Sequence, residues 1–142
     1  MKQFNKVLLV EDEEIDAFLS KTILLQMGIA KEIVLCKNAE QALSYINSLP
    51  KENASTQEDV DLILLDIRMP GMDGFEFLQE LRETYQQNYT VIMLSSSEDT
   101  SDITKAAQFQ AGYYLVKPLT IDKVRKMVTR CFAPLTSSKK QA

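Results

Sequence analysis

The chain has 142 residues, 45% of them hydrophobic and 25% charged, which suits a single domain with a real core. Its formal net charge of −4 offers no basic footprint for nucleic acid, and the absence of histidine excludes histidine triads, histidine metal sites, histidine general bases and a phosphohistidine on the chain itself. The apolar stretch in MKQFNKVLLVEDEE is too short for a signal peptide, and no apolar run reaches the roughly 20 residues that span a bilayer, so a soluble, cytoplasmic protein is expected.

Short apolar runs alternate with amphipathic segments along the chain. KVLLV (6–10) is the first predicted strand, followed by a helix over 14–27 that Gly28 stops. EIVLC (32–36) is the second strand, and Asn38 caps a helix over 39–48. VDLILLD (60–66) is the third, and Asp73 caps a helix over 74–86. TVIML (90–94) precedes a helix over about 99–110, and YYLV (113–116) precedes one over 120–132 with Thr120 as its cap. The apolar runs are continuous rather than alternating, as in strands buried on both faces. Strand and helix therefore repeat in an order that predicts right-handed crossovers and a three-layer α/β fold with a parallel sheet.

Two segments break this rhythm. PKENASTQED (50–59) is polar and longer than the roughly 2–6 residues usual between helix and strand, so it reads as a solvated loop or a partner-binding loop. APLTSSKKQA (133–142) reads as a frayed tail. Cys36 and Cys131 lie far apart without metal-ligand spacing, and are expected as free thiols in a reducing compartment.

Ligands of open α/β sheets sit outside the carboxyl ends of the strands. Those ends carry Glu11 and Asp12, then Asp66, then Ser95 with Ser96 and Ser97, then Lys117 and Pro118. Taken singly, each has an ordinary explanation as a turn acid, a helix cap or a surface charge. Together, three carboxylates on one rim repel and drift towards protonation unless a cation sits among them. Oxygen donors of this kind suit a hard cation, and Mg2+ needs only one or two carboxylates because it keeps several waters. With Lys117 as a second positive charge, the rim can stabilise the oxygens of a transferring phosphoryl group. Asp66, at the end of the central strand, is the candidate nucleophile, to give an aspartyl-phosphate; Glu11 and Asp12 would hold the metal, and the Ser95 hydroxyl would bond a phosphoryl oxygen. In the following RMPGMDG, Pro70 fixes φ while Gly71 and Gly74 allow a sharp turn beside the site.

The pieces VLLVEDE, DLILLDIRMPGMDG, VIMLSSS and GYYLVKP resemble, in order and spacing, the response-regulator receiver domain of two-component signalling, of the stand-alone, chemotaxis-regulator-like kind. The resemblance covers residues 5–132. It implies a receiver domain over 1–132 with a polar insertion at 50–59, and a doubly wound, flavodoxin-like sheet of order 2-1-3-4-5 with helices on both faces. It also implies roles: Asp66 as phosphoacceptor and metal ligand, Asp12 as direct Mg2+ ligand, Glu11 as the second acid, and the backbone carbonyl of Arg68 as a further ligand. Ser95 matches the switch hydroxyl, Tyr114 the switch aromatic, and Lys117 the site lysine, with a cis Lys117–Pro118 bond expected.

The implied reaction is Mg2+-dependent phosphoryl transfer to Asp66 from a phosphohistidine on a sensor histidine kinase or a histidine phosphotransfer protein. Such a chain is a switch rather than an enzyme. No DNA-binding, enzymatic or membrane module is expected to follow, so output would run through a downstream protein, with the helix 4–strand 5–helix 5 face as the family's dimer or target surface. The insertion at 50–59 is similar to that of receivers serving separate sensor kinases, phytochrome-type ones included. Arg68 and Ser97 would flank the path of the attacking water. In the first helix, Ile15, Phe18 and Leu25 fall to one side of Leu19, Ile23 and Met27, which reads as a wide core stripe or as a docking face for the phosphodonor. A competing Mg2+-dependent phosphohydrolase would favour an acid two residues after the nucleophile, where Arg68 stands. A flavodoxin's flavin phosphate would be repelled by the rim acids. A scaffold that never carries phosphate remains the other alternative.

Overall fold

A computed structural model describes residues 3–49, 60–83 and 89–131. The predicted loop at 50–59, the predicted helix ends at 84–86 and 132, and the predicted tail at 133–142 lie outside the described residues. The elements run β1 (Phe4–Val10), α1 (Glu14–Met27), β2 (Ala30–Cys36), α2 (Ala39–Ser48), β3 (Leu62–Asp66), α3 (Gly74–Glu83), β4 (Val91–Ser95), α4 (Thr100–Gln108), β5 (Tyr113–Val116) and α5 (Ile121–Cys131). The strands form one parallel sheet of order β2-β1-β3-β4-β5, as expected.

Alternation along the strands explains why their apolar runs are unbroken. Leu8, Val10, Ile63, Leu65, Val91 and Met93 point to one face, where they pack with Ala42, Phe77, Leu78 and Ala106 of α2, α3 and α4. Val7, Leu9, Leu62, Leu64, Ile92 and Leu94 point to the other, against Leu24 of α1 and Val124 and Met127 of α5. Both faces of β3 and β4 are thus buried, so every position needs an apolar side chain until the strand reaches the rim.

The predicted punctuation is observed. Gly28 ends α1 at φ 63, the left-handed conformation that glycine adopts at no steric cost. The Asn38 side chain accepts from the Gln41 N–H, and Thr120 Oγ1 accepts from the Lys123 N–H. Asp73 and Glu76 form a reciprocal capping box at the start of α3, with bonds of 2.8 and 2.9 Å. Asp99 caps α4 by accepting from the Ser101 N–H.

Four expectations are corrected. β1 begins at Phe4 and β2 at Ala30, both earlier than the apolar runs, because Phe4 is buried and its N–H bonds the Ile29 carbonyl at 2.8 Å. β3 begins later, at Leu62; Asp61 instead accepts from the Asn5 N–H at 2.6 Å. The wide core stripe on α1 is not formed. Its buried residues are Ala17, Ser20 and Leu24, whereas Ile15 (74% exposed), Phe18 (69%), Leu25 and Leu19 face outward. Small Ala17 and Ser20 let the helix lie close to the sheet, which turns the larger apolar side chains away from it.

Cys36 and Cys131 are free, and burial raises both thiols above their usual range, which keeps them protonated and unreactive. Among the described residues, no helix is long and apolar enough to cross a membrane.

Candidate functional site

Because all five strands are parallel, their carboxyl ends share one rim. The ladder continues one residue past three of them. The Glu11 N–H bonds the Cys36 carbonyl at 3.0 Å, the Ile67 N–H bonds the Leu94 carbonyl at 3.1 Å, and the Lys117 N–H bonds the Ser95 carbonyl at 2.7 Å. The backbone beside each candidate side chain is therefore fixed by the sheet rather than left to a loop.

Glu11 and Asp66 are buried, Asp12 half-buried, and one carboxylate oxygen from each lies within 4.8 Å of the others. Lys117 reaches into this group from the end of β5. Its Nζ stands 2.6 Å from Glu11 Oε1, 3.0 Å from Asp16 Oδ2 and 3.3 Å from Asp66 Oδ1. The predicted Lys117–Pro118 cis peptide is present. Burial and the adjacent Glu11 charge push the Asp66 carboxyl up to about 7, even though Lys117 pulls it down. Burial works against the charged form of Lys117, yet its bonds to Glu11 and Asp16 and the charge of Asp66 hold its ammonium above the usual lysine range.

One lysine does not neutralise this group. Asp12 Oδ1 is buried with no hydrogen-bond partner. An unsatisfied carboxylate oxygen beside two further carboxylates is a donor set that fits a hard divalent cation.

Around this centre, Ser95 ends β4 with its Oγ accepting from the Ser97 N–H at 3.0 Å. Ser97 Oγ accepts from the Asp99 N–H, and the Tyr114 hydroxyl donates to the Ser97 carbonyl at 2.9 Å. Ser95, Ser97, Tyr114 and the start of α4 are thus joined in one hydrogen-bonded run. Arg68 reaches along the surface to Asp102 in the first turn of α4, at 3.0 Å. Gly74 is pressed against the end of β3, its N–H bonding the Ile67 carbonyl at 2.8 Å.

Sequence reasoning did not find Asp16 or Asp102. Asp16 belongs to the acidic run EDEEID, but its contact with Lys117 depends on how α1 is rotated. Asp102 lies 34 residues from Arg68, and nothing local to either signals the pairing.

A buried carboxylate beside a lysine and two further acids is an arrangement whose chemistry suits the acceptance of a phosphoryl group. Comparison with known proteins identifies the family. The model of the response regulator receiver domain matches residues 7–129. The chain is 32% identical over 139 residues to the alkaline phosphatase synthesis transcriptional regulatory protein SphR of Synechococcus elongatus, covering 96% of this chain and 51% of that protein, so it spans about half of that relative's length. It is 30% identical over 131 residues to the probable chemotaxis protein CheY of Rhizobium etli, covering 92% of this chain and 94% of that one. The crystal structure of a two-component response regulator from Cytophaga hutchinsonii superimposes with a TM-score of 0.80 at 27% identity, covering 94% of this chain and all of that one. Family, fold and rim lead to one conclusion: the chain belongs to the response regulator receiver domains of two-component signalling.

Proposed function

We propose that this receiver takes a phosphoryl group on Asp66 from a phosphohistidine of a sensor histidine kinase or histidine phosphotransfer protein, and that the modified site changes a protein-binding surface. The observation that carries the reading is the buried Asp66 carboxylate, 3.3 Å from Lys117 and grouped with Glu11 and Asp12. An Asp66 oxygen attacks phosphorus, the phosphorus–nitrogen bond breaks, and its electron pair returns to the donor's imidazole. Water later attacks the acyl phosphate, releasing inorganic phosphate and restoring the carboxylate. Glu11, Asp12, Asp66 and the Arg68 carbonyl would hold Mg2+, which supplies charge neutralisation at the phosphoryl oxygens.

Lys117 already contacts Asp66 and would pair with a phosphoryl oxygen. The Ser95 hydroxyl, on the neighbouring strand end, would bond another. Such a move would strain its bond to the Ser97 N–H and loosen the run that ends on the Tyr114 hydroxyl. The surface around α4, β5 and α5 would then change and could serve a downstream protein or a second copy. This is a local contact change biasing a two-state element.

Intact mass after incubation with acetyl phosphate tests the reading. A gain of one phosphoryl group is expected with Mg2+, and none without Mg2+ or in Asp66→Asn. The scaffold alternative predicts no gain from acetyl phosphate or from a phosphohistidine protein.

Phe18 of α1 is 69% exposed and lines a surface recess together with Glu11 and Asp12, a position that suits contact with the phosphodonor. Phe18→Ala is expected to slow transfer from a phosphohistidine protein by about tenfold, as loss of a central aromatic contact does, while leaving acetyl phosphate labelling unchanged. Equal transfer rates in wild type and variant would remove this face from donor recognition.

A further inference from the structure

The Arg68–Asp102 ion pair connects the loop after the phosphoacceptor to the helix after the switch serine. Arg68 stands two residues beyond Asp66, and its Nη2 is 3.0 Å from Asp102 Oδ2. The two ends of the pair differ: the Arg68 side chain is 70% exposed, that of Asp102 13%. Asp102 belongs to the first turn of a helix whose cap, Asp99, is also acidic. The Asp99 carboxyl is held below its usual range by its bonds to Ser101, with the Arg68 charge adding to the effect. Arg68 is therefore drawn towards the start of α4.

Resting on the phosphoryl-acceptor reading above, we propose that Asp102 is a positioning residue that draws the Arg68 guanidinium away from the phosphoryl group on Asp66, and so shortens that group's lifetime.

The argument is one of competition. A guanidinium presents a planar fork of donors that matches phosphate oxygens as well as carboxylate oxygens. A phosphoryl group carries more negative charge than a carboxylate, so it competes effectively for Arg68. Exposed ion pairs are weakly held, so neither partner captures the guanidinium completely. When Arg68 lies over the phosphoryl group it obstructs the approach of water. When it lies on Asp102 the approach is open. The lifetime follows the division of Arg68 between the two.

Asp102 has a simpler role available, as an acid favourable to the helix dipole at the start of α4. That role needs no arginine, and the two are separated by variants. The protein is loaded from acetyl phosphate with Mg2+, the donor is removed, and loss of the phosphoryl group is followed by intact mass.

Asp102→Asn should lengthen the half-life by about two- to fivefold, the range set by a weak surface pair. Arg68→Ala should shorten it. The double variant should match Arg68→Ala alone, and Asp102→Glu should restore the wild-type value. An unchanged half-life in Asp102→Asn, or the same change with and without Arg68, would overturn the proposal while the acceptor reading stands. A wild type that gains no phosphoryl group from acetyl phosphate or from a phosphohistidine protein would overturn both.

Discussion

Asp66→Asn is expected to raise the melting temperature at pH 8 in the absence of Mg2+, and to lose that advantage by about pH 4. In the fold, burial first and the Glu11 charge second raise the Asp66 carboxyl from 3.8 to about 7. Between those values the folded state keeps a proton that the unfolded chain has released. Stability therefore falls as pH rises through this window; the cost is absent below about 3.8 and complete above about 7. Three units would correspond to about 4 kcal/mol, and the partial screening of a rim position brings this nearer 2 kcal/mol. For a domain of this size that is a rise of roughly 4–8 °C. Lys117 keeps Glu11 and Asp16 as partners in the variant, so its own charge is not stranded. Mg2+ should reverse the ranking. A cation held among the carboxylates would stabilise the wild type by about 2.7 kcal/mol at one hundred times its dissociation constant, and the variant would offer it one carboxylate fewer. Thermal melts at pH 4 and 8, with and without Mg2+, check both statements. A variant less stable than wild type at pH 8 without Mg2+ would mean that the attraction of Lys117 outweighs the burial of Asp66.

The stability cost and the proposed function have the same origin. A chain that ends a fully buried strand in a carboxylate, beside another buried acid, gives up stability to hold a nucleophile rigidly. Sequence made this arrangement legible because parallel strands deposit their ends on one rim, and unbroken apolar runs reveal where each strand ends. Glu11, Asp12, Asp66 and Lys117 could therefore be placed together before any contact was visible. Helix caps were legible for a similar reason: Asn38, Asp73 and Thr120 act within three residues of themselves. What depends on packing was not legible. The bulky residues of α1 suggested a core stripe, yet the buried residues include Ala17 and Ser20, whose small size is itself the reason the helix packs there. Polar Asn5 and Lys6 separate Phe4 from the apolar run and so hid the true start of β1; Lys6 is itself buried, its ammonium 3.8 Å from Glu32 and over the Tyr45 ring. Arg82 gives no local sign that it will bond the carbonyls of Tyr89 and Gln110 and so tie α3 to the segments flanking β4 and α4.

Gly74→Ala is expected to destabilise the protein by about 3 kcal/mol, a fall of roughly 10 °C in Tm, and to slow phosphoryl uptake in whatever fraction folds. A Cβ at Gly74 would stand 2.5 Å from the Asp66 carbonyl oxygen and 2.8 Å from Ile67 Cα. Both are backbone atoms of the segment that carries Asp66, so no side chain can swing aside to relieve the clash. α3 cannot easily retreat either, because Phe75, Phe77 and Leu78 follow at once and are buried in the core. Gly28 supplies the contrast. Its φ of 63 is costly for alanine, but a Cβ there meets nothing within 4 Å. Gly28→Ala should therefore lose only about 1 kcal/mol, the conformational cost alone. Thermal melts of both variants separate close approach from backbone strain, and acetyl phosphate labelling reports whether the Asp66 backbone has shifted. Equal melting temperatures would mean that α3 moves off β3 at little cost. A destabilised Gly74→Ala protein that still takes up phosphate at the wild-type rate would mean that the helix yields as a body and leaves the nucleophile in place.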